Sequence, residues 1–434
     1  MLWFRSGNDS TRAAQPGASR TELRKRYHRR GHIGSSWAAK SRHCIRSARY
    51  SMGSCLNARV RRAGEVCCRE RSATERESGY TCCVPTPRAV LTRGVLALAS
   101  AAMLVVACAN DVESRGQPNA GGPADLATNL DVPWGIAFLP DGSALIAERD
   151  SGTIKHMSAP GVVNPVGSVA GVAARGEGGL LGLATSGPTV FAYFTAGQDN
   201  RVVRMRFDGG TLREQSPILT GIPAGAIHDG GRIAFGPDGK LYVATGESGN
   251  PELAQDRSSL GGKILRINPD GSIPSDNPDP ASPVWSFGHR NIQGLAWDSA
   301  GRLWATEYGA NRLDELNLIR PGGNYGWPIA EGRADTPGLI DPVIQWGTGE
   351  ASPSGLAYFG GALWVACLRG QRLYQIPVGA DGSLGDPGPL FVGQYGRLRT
   401  VVAAPDGTLW FTTSNRDGRG SARDGDDRIL QFRT

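Results

Sequence analysis

One short pattern recurs six times between residues 140 and 413: a turn containing glycine, then a strand of alternating or wholly apolar character. The copies are PDGSALIAE (140–148), SGPTVFAYFT (186–195), PDGKLYVATGE (237–247), SAGRLWATE (299–307), FGGALWVAC (359–367) and PDGTLWFTT (405–413). Their markers, Leu145, Val190, Leu241, Leu303, Leu363 and Leu409, stand 45, 51, 62, 60 and 46 residues apart. Asp-Gly and Gly-Gly give the positive φ that a hairpin turn needs, and the β-branched and aromatic positions fill a buried strand. Each interval has room for three further strands, which is the length of a β-propeller blade. The sequence therefore predicts an all-β, six-bladed β-propeller over residues 126–434. Gly and Pro together supply 89 of the 434 residues, about a fifth against an average of roughly 12%, as a chain of many turns requires. No long amphipathic helix follows Leu126, which excludes the parallel α/β folds. A sandwich would leave the self-similarity unexplained. The two longest intervals predict extra loops, and loops on one face of such a scaffold usually carry the site.

The formal charge of +7 invites a nucleic-acid reading, but the charge is confined to one end. Residues 1–107 hold 20 Lys and Arg against 6 Asp and Glu, whereas the remainder holds 27 against 34. The propeller region is acidic, so no nucleic-acid partner is expected. Cysteine divides the same way: six precede residue 84, and only Cys108 and Cys367 follow. The six lack a Cys-x2-Cys pair, and no zinc spacing includes His28, His32 or His43. Residues 1–87 read as a disordered basic extension, or as translation from too early a start. Residues 88–107 read as a signal peptide, with Arg88 and Arg93 ahead of an apolar run that is too short to span a bilayer. The run closes on Val105-Val106-Ala107-Cys108, which resembles a bacterial lipobox with Cys108 as the lipidated residue; a plain secretory signal is the alternative. Residues 108–125 then form a flexible tether. The expectation is an exported protein, at the cell surface or in the periplasm, held to the membrane by a lipid.

Chemistry-bearing residues gather in loops next to the repeats. His228 opens HDGGRIAFGPDGKLYVATGE and Glu247 closes it, so a His and a carboxylate are expected to meet at one rim, the acid orienting the imidazole. SFGHRNIQG (286–294) sets His289, Arg290 and Asn291 in a row before the next strand. TEYGANRLDELNLIRPGGNYGWP (306–328) is dense in Gly, acids and carbonyls, a composition that suits Ca²⁺. In Arg397-Leu398-Arg399, an extended backbone points both guanidiniums to one side. Several arginines and one His around a funnel suggest a polyanionic ligand or cofactor. The late RDGDDR stretch (423–428) reads as a solvated acidic loop, with calcium binding as the alternative.

HDGGR, GHRN, NYGWP and R-x-R occur in this order, and over residues 126–434 the chain resembles the soluble PQQ-dependent glucose/aldose sugar dehydrogenases, a group that includes sorbosone dehydrogenase-like proteins. The resemblance implies a six-bladed propeller that oxidises the C1 hydroxyl of aldoses to lactones with pyrroloquinoline quinone (PQQ) and calcium. It makes His228 the general base, Glu247 its acidic partner where the family often has Asp, and Arg290 the residue that polarises the quinone oxygen. Asn291 becomes a neighbouring cofactor contact, and Arg397 and Arg399 hold the cofactor carboxylates. Gly309 and Ala310 fall at the carbonyls that bind the cofactor's calcium, and Glu315 and Tyr325 at a further, structural calcium. Two positions depart from the pattern: Arg369 stands where some members have a cofactor-contacting Lys, and Glu177 where the family often has Gln. A second carboxylate beside a tricarboxylate cofactor is unfavourable unless it faces an arginine or calcium. A calcium-dependent propeller lactonase or hydrolase, and a non-catalytic ligand-binding lipoprotein, are the competing readings. The sugar, which loops 249–260 and 330–350 would select, and the electron acceptor are left open.

Overall fold

A computed structural model describes residues 122–434; residues 1–87, the segment 88–107 and Cys108 lie outside that range. Twenty-four strands form six four-stranded antiparallel sheets, with a single 3-10 turn at Pro251–Ala254. Blade one is β2 (Pro133–Phe138), β3 (Ala144–Glu148), β4 (Thr153–Ala159) and β5 (Val162–Ser168). Blade two is β6 (Leu180–Ser186), β7 (Thr189–Thr195), β8 (Asp199–Phe207) and β9 (Leu212–Pro223). Blade three is β10 (Ile233–Phe235), β11 (Leu241–Ala244), β12 (Lys263–Ile267) and β13 (Val284–Phe287). Blade four is β14 (Ile292–Trp297), β15 (Leu303–Glu307), β16 (Leu313–Ile319) and β17 (Ile344–Gly347). Blade five is β18 (Pro353–Phe359), β19 (Ala362–Cys367), β20 (Arg372–Pro377) and β21 (Gly388–Leu390). The sixth takes β22 (Leu398–Ala403), β23 (Leu409–Thr413) and β24 (Ile429–Phe432) from late in the chain, and β1 (Ala124–Ala127) as its outer strand. The propeller thus starts at Ala124, two residues ahead of the expected 126.

The recurring sequence copies are the second strands, β3, β7, β11, β15, β19 and β23. Every residue of β3, β11, β15, β19 and β23 is buried, because these strands have neighbours on both faces. Core clusters draw on adjacent blades: Leu145 and Ile154 of blade one pack with Leu180, Val190 and Phe194 of blade two. Leu126 of β1 and Ile429 join Ile136 and Ile146 where blade six meets blade one. Trp134, Trp304 and Trp364 are fully buried, each side chain of this size worth about 3 kcal/mol or more on removal. Cys367 is a free, buried thiol in β19. No described helix is long and apolar enough to cross a membrane.

The two long intervals do carry extra loops. One follows β11 and contains the 3-10 turn. The other, 320–343, climbs along β13: Gly322 N–H donates to Trp285 O (2.7 Å), Tyr325 N–H to Phe287 O (2.9 Å) and Trp327 N–H to Gly288 O (2.9 Å). This path delivers Trp327 and Glu331 to the face where the blade-to-blade connections open. The RDGDDR stretch is a correction: Asp426 and Asp427 are buried, not solvated. Asp427 accepts the Asn415 amide and Asp426 the Arg423 amide, so the two acids shape the turn into β24.

Candidate functional site

Connections between blades and the hairpins from second to third strands converge on a cavity of about 460 Å³. Glu177, His228, Arg290, Gly309, Ala310, Arg369 and Arg397 line it. The inner-strand and second-strand positions give rigid roots to side chains that stand on short loops.

His228 and Glu247 do meet. The imidazole Nδ1 lies 2.6 Å from Glu247 Oε1, and Nε2 lies 2.8 Å from Arg290 Nη2. A guanidinium can only donate, so Nε2 must accept and the proton sits on Nδ1, directed at the carboxylate. The pair is a neutral imidazole whose lone pair faces the cavity. The left-handed backbone of His228 (φ 59°) is pinned on both sides. Its N–H donates to Glu177 Oε2 (2.9 Å), and its carbonyl accepts from Ser248 N–H (3.0 Å). Burial lowers the Arg290 guanidinium from its ordinary range, while Glu247 and Glu307 work to raise it. Its Nη1 donates to Tyr308 O (3.2 Å), and its guanidinium stacks over Trp327 at 5.4 Å.

Glu177, the unexpected carboxylate, faces an arginine: Oε1 lies 2.9 Å from Arg419 Nη1. Burial opposes its charge, but the His228 amide and Arg419 outweigh it and hold the acid below its usual range. Arg397 and Arg399 point to one side and share Asp417, with Nη2 to Oδ2 distances of 2.9 and 3.5 Å. Burial again opposes the Asp417 charge, and Arg399 and Arg397 overcome it, leaving the carboxyl below its usual range. Two guanidiniums against one carboxylate leave surplus positive charge at this wall. Arg369 is exposed at the mouth and has no ion pair among the described residues. Asn291 is fully buried; its Oδ1 accepts the Gly230 N–H at 3.1 Å. Four buried polar groups here lack a protein partner: Arg290 Nε and the Tyr308 hydroxyl, on residues that line the cavity, and Asn291 Nδ2 and Trp327 Nε1, on residues next to them. This donor set fits a planar anion with several carboxylates and carbonyls.

Gly309 and Ala310 sit at the cavity wall with their amides turned away, to Asp314 Oδ1 (3.0 Å) and Glu331 Oε1 (2.9 Å). Neither carbonyl accepts a hydrogen bond among the described residues, so both are available to a hard cation. Only glycine fits at 309, where a Cβ would stand 1.8 Å from Leu313 O. No group of three His, Cys, Asp or Glu among the described residues could hold a metal by itself. Glu315 lies buried beside Glu307, with the Asn317 amide donating to both at 3.1 and 3.4 Å. Burial and then Glu307 push the Glu315 carboxyl well up. The Tyr325 hydroxyl is committed to Leu318 O (2.7 Å) and Arg320 N–H (2.8 Å), which leaves its carbonyl as the one oxygen it can offer a cation. His289 is wholly buried between Ser286 Oγ and Glu307 Oε2, stacked on Tyr325, and is not among the residues that line the 460 Å³ cavity.

Asp417, Arg419, Glu331 and Lys263 were not singled out from the sequence. For Asp417 a signal exists: it stands just past a repeat strand, as Glu247 does, in the turn NRDGRG. Glu331 gave none, because its role depends on the long climb of 320–343.

The Glucose / Sorbosone dehydrogenase family profile matches residues 130–422. The aldose sugar dehydrogenase YliI of Escherichia coli is 30% identical over 337 residues, covering 68% of this chain and 90% of that protein. The PQQ-bound aldose sugar dehydrogenase of Streptomyces coelicolor superposes with TM-score 0.69 at 53% identity, covering 71% of this chain and 96% of its own. A Thermus thermophilus oxidoreductase described as a putative glucose dehydrogenase gives TM-score 0.68 at 46% identity, covering 71% and 99%.

Proposed function

The chain belongs to the glucose/sorbosone dehydrogenase family, and from that premise we propose that it oxidises the C1 hydroxyl of an aldose to a lactone with PQQ and calcium. The observation that carries the reading is the His228 imidazole, held as a base by Glu247 at Nδ1 and presenting an unprotonated Nε2 to the cavity. The sugar's C1 hydroxyl takes the place of Arg290 at Nε2, and its proton passes to that nitrogen. Glu247 stabilises the imidazolium that results. Arg290, released from Nε2, keeps its stack on Trp327 and offers its N–H groups to developing negative charge. Arg397 and Arg399 bind cofactor carboxylates, joined by Arg369 at the mouth and Asn291 from below. Glu177 acts here mainly by fixing the His228 backbone, with Arg419 as its counter-charge. The carbonyls of Gly309 and Ala310 would hold the cofactor's calcium, and Glu315 with the Tyr325 carbonyl a structural one. When bound, PQQ supplies a two-electron acceptor and Ca²⁺ a Lewis acid. A lactonase has no use for the Arg397–Asp417–Arg399 wall, and a passive binding protein has none for the His228–Glu247 pair.

The test adds PQQ and Ca²⁺ to the purified protein and follows dye reduction with a panel of aldoses. Turnover that needs both additions supports the reading; no cofactor binding and no turnover would sink it. We also read residues 88–107 as an export signal and Cys108 as the lipid anchor. Cys108→Ser is expected to move the protein from the membrane fraction to the soluble one.

A further inference from the structure

The loop between β11 and β12 is tied at both ends by a lysine. Lys263 is fully buried and has no carboxylate partner among the described residues. Its Nζ donates to Leu253 O (2.6 Å), Ala254 O (3.1 Å) and Gly261 O (2.6 Å). An ammonium without a counter-charge is costly to bury, and here three carbonyl dipoles take up all three of its N–H donors. The tied segment reaches further. Ala254 O also accepts Gly288 N–H (2.9 Å). Gln255 Nε2 donates to Asn324 Oδ1 (3.0 Å) and Trp327 O (2.6 Å), and its Oε1 accepts from Asn324 Nδ2 (2.9 Å). Trp327 N–H in turn donates to Gly288 O, two residues before Arg290, and the Trp327 ring lies under the Arg290 guanidinium. Contiguous hydrogen bonds thus run from Lys263 through the 3-10 turn to the aromatic support of Arg290.

We propose that Lys263 is a positioning residue for the Arg290–Trp327 wall: its ammonium fixes the 250–261 loop, and Gln255 passes that constraint to the 322–327 segment. The contacts carry the positioning; its kinetic consequence rests on the dehydrogenase reading. Lys263 touches neither the cavity nor the reacting atoms.

Hydrogen–deuterium exchange on the full chain, at one neutral pH, tests this with Lys263→Met, Lys263→Gln and Gln255→Ala. In Lys263→Met, exchange over 250–261 is expected to rise about tenfold, the scale of one lost hydrogen bond, and the acceleration should reach 322–327. The sixth-blade strand 409–413 should not change. Gln at 263 returns two N–H donors and should restore part of the protection. Gln255→Ala should free 322–327 and leave 250–261 unaltered. Acceleration confined to 250–261 in Lys263→Met, or none at all, overturns the proposal. Should Lys263→Met unfold the chain, seen as faster exchange at 409–413, Gln255→Ala decides, and unchanged exchange at 322–327 there overturns it. In the loaded enzyme, Lys263→Met is expected to lower kcat about tenfold with KM for the sugar little changed, since Arg290 meets the charge that develops during the reaction while His228 and Glu247 are untouched. The expected exchange pattern in a protein that never turns over, wild type included, would sink the dehydrogenase reading and leave the positioning intact.

Discussion

His228 sits between one partner that must accept and another that must donate, and this asymmetry chooses its tautomer. Replacing it with Ala removes the base but none of the arginines. Turnover is expected to fall about 10²–10⁴-fold while PQQ binding, read by absorbance, persists. Loss of cofactor binding in the same variant would count against its role as base. Asp417 makes a pH prediction. Its carboxyl is held below the ordinary 3.8 in the folded state, so ionisation favours folding. That stability is complete above the unfolded pKa and is lost as pH falls below about 4. Asp417→Asn has no such dependence, so its Tm deficit against wild type should hold from pH 6 to about pH 4 and shrink as the pH falls further. A constant deficit would mean that the Arg397 and Arg399 pairing contributes nothing through charge. Glu247, which closes its repeat, and Asp417, four residues past the end of the sixth copy, were both reachable from the sequence in principle. Only Glu247 carries a hint of purpose there, because His228 opens the same segment.

At the scale of elements, the site depends on strand ends approaching closely. Gly246 follows β11, and a Cβ there would stand 1.9 Å from His228 O. Gly246→Ala is therefore expected to push the His228 loop outward, costing about 1–3 kcal/mol as an overpacked substitution does, and to depress kcat as well. Thermal unfolding and steady-state kinetics on the same sample check it; an unchanged kcat would show that His228 tolerates the shift. The second strands were legible because an all-buried strand between two turns has a strong local signature. The 320–343 loop was legible only as extra length. Its course beside β13 depends on backbone hydrogen bonds, to which side-chain patterns are blind. The acids at 426 and 427 misled for the same reason: a charged run reads as solvated until its amide donors are seen.

For the whole molecule, the blade count followed from the repeats, but the closure did not. β1 is four residues, ADLA, half of them exposed, with no turn or repeat to mark it. It pairs Ala124 with Gln431 and Asp125 with Leu430, and completes the sixth sheet. A chain beginning at Leu130 would leave the β24 edge bare, and is expected to melt lower and to self-associate, while one beginning at Gly122 should match the parent. Equal melting of the two would show that β1 is dispensable. The same pairing has a consequence for synthesis. Its partners lie some 300 residues apart in sequence, a contact order that makes ring closure a late event. A ribosome can release blades one to five in turn, yet a nascent chain lacking β24 gives β1 nothing to pair with. Every prematurely ended product therefore displays an open sheet edge, the kind of surface that chaperones and proteases sort by.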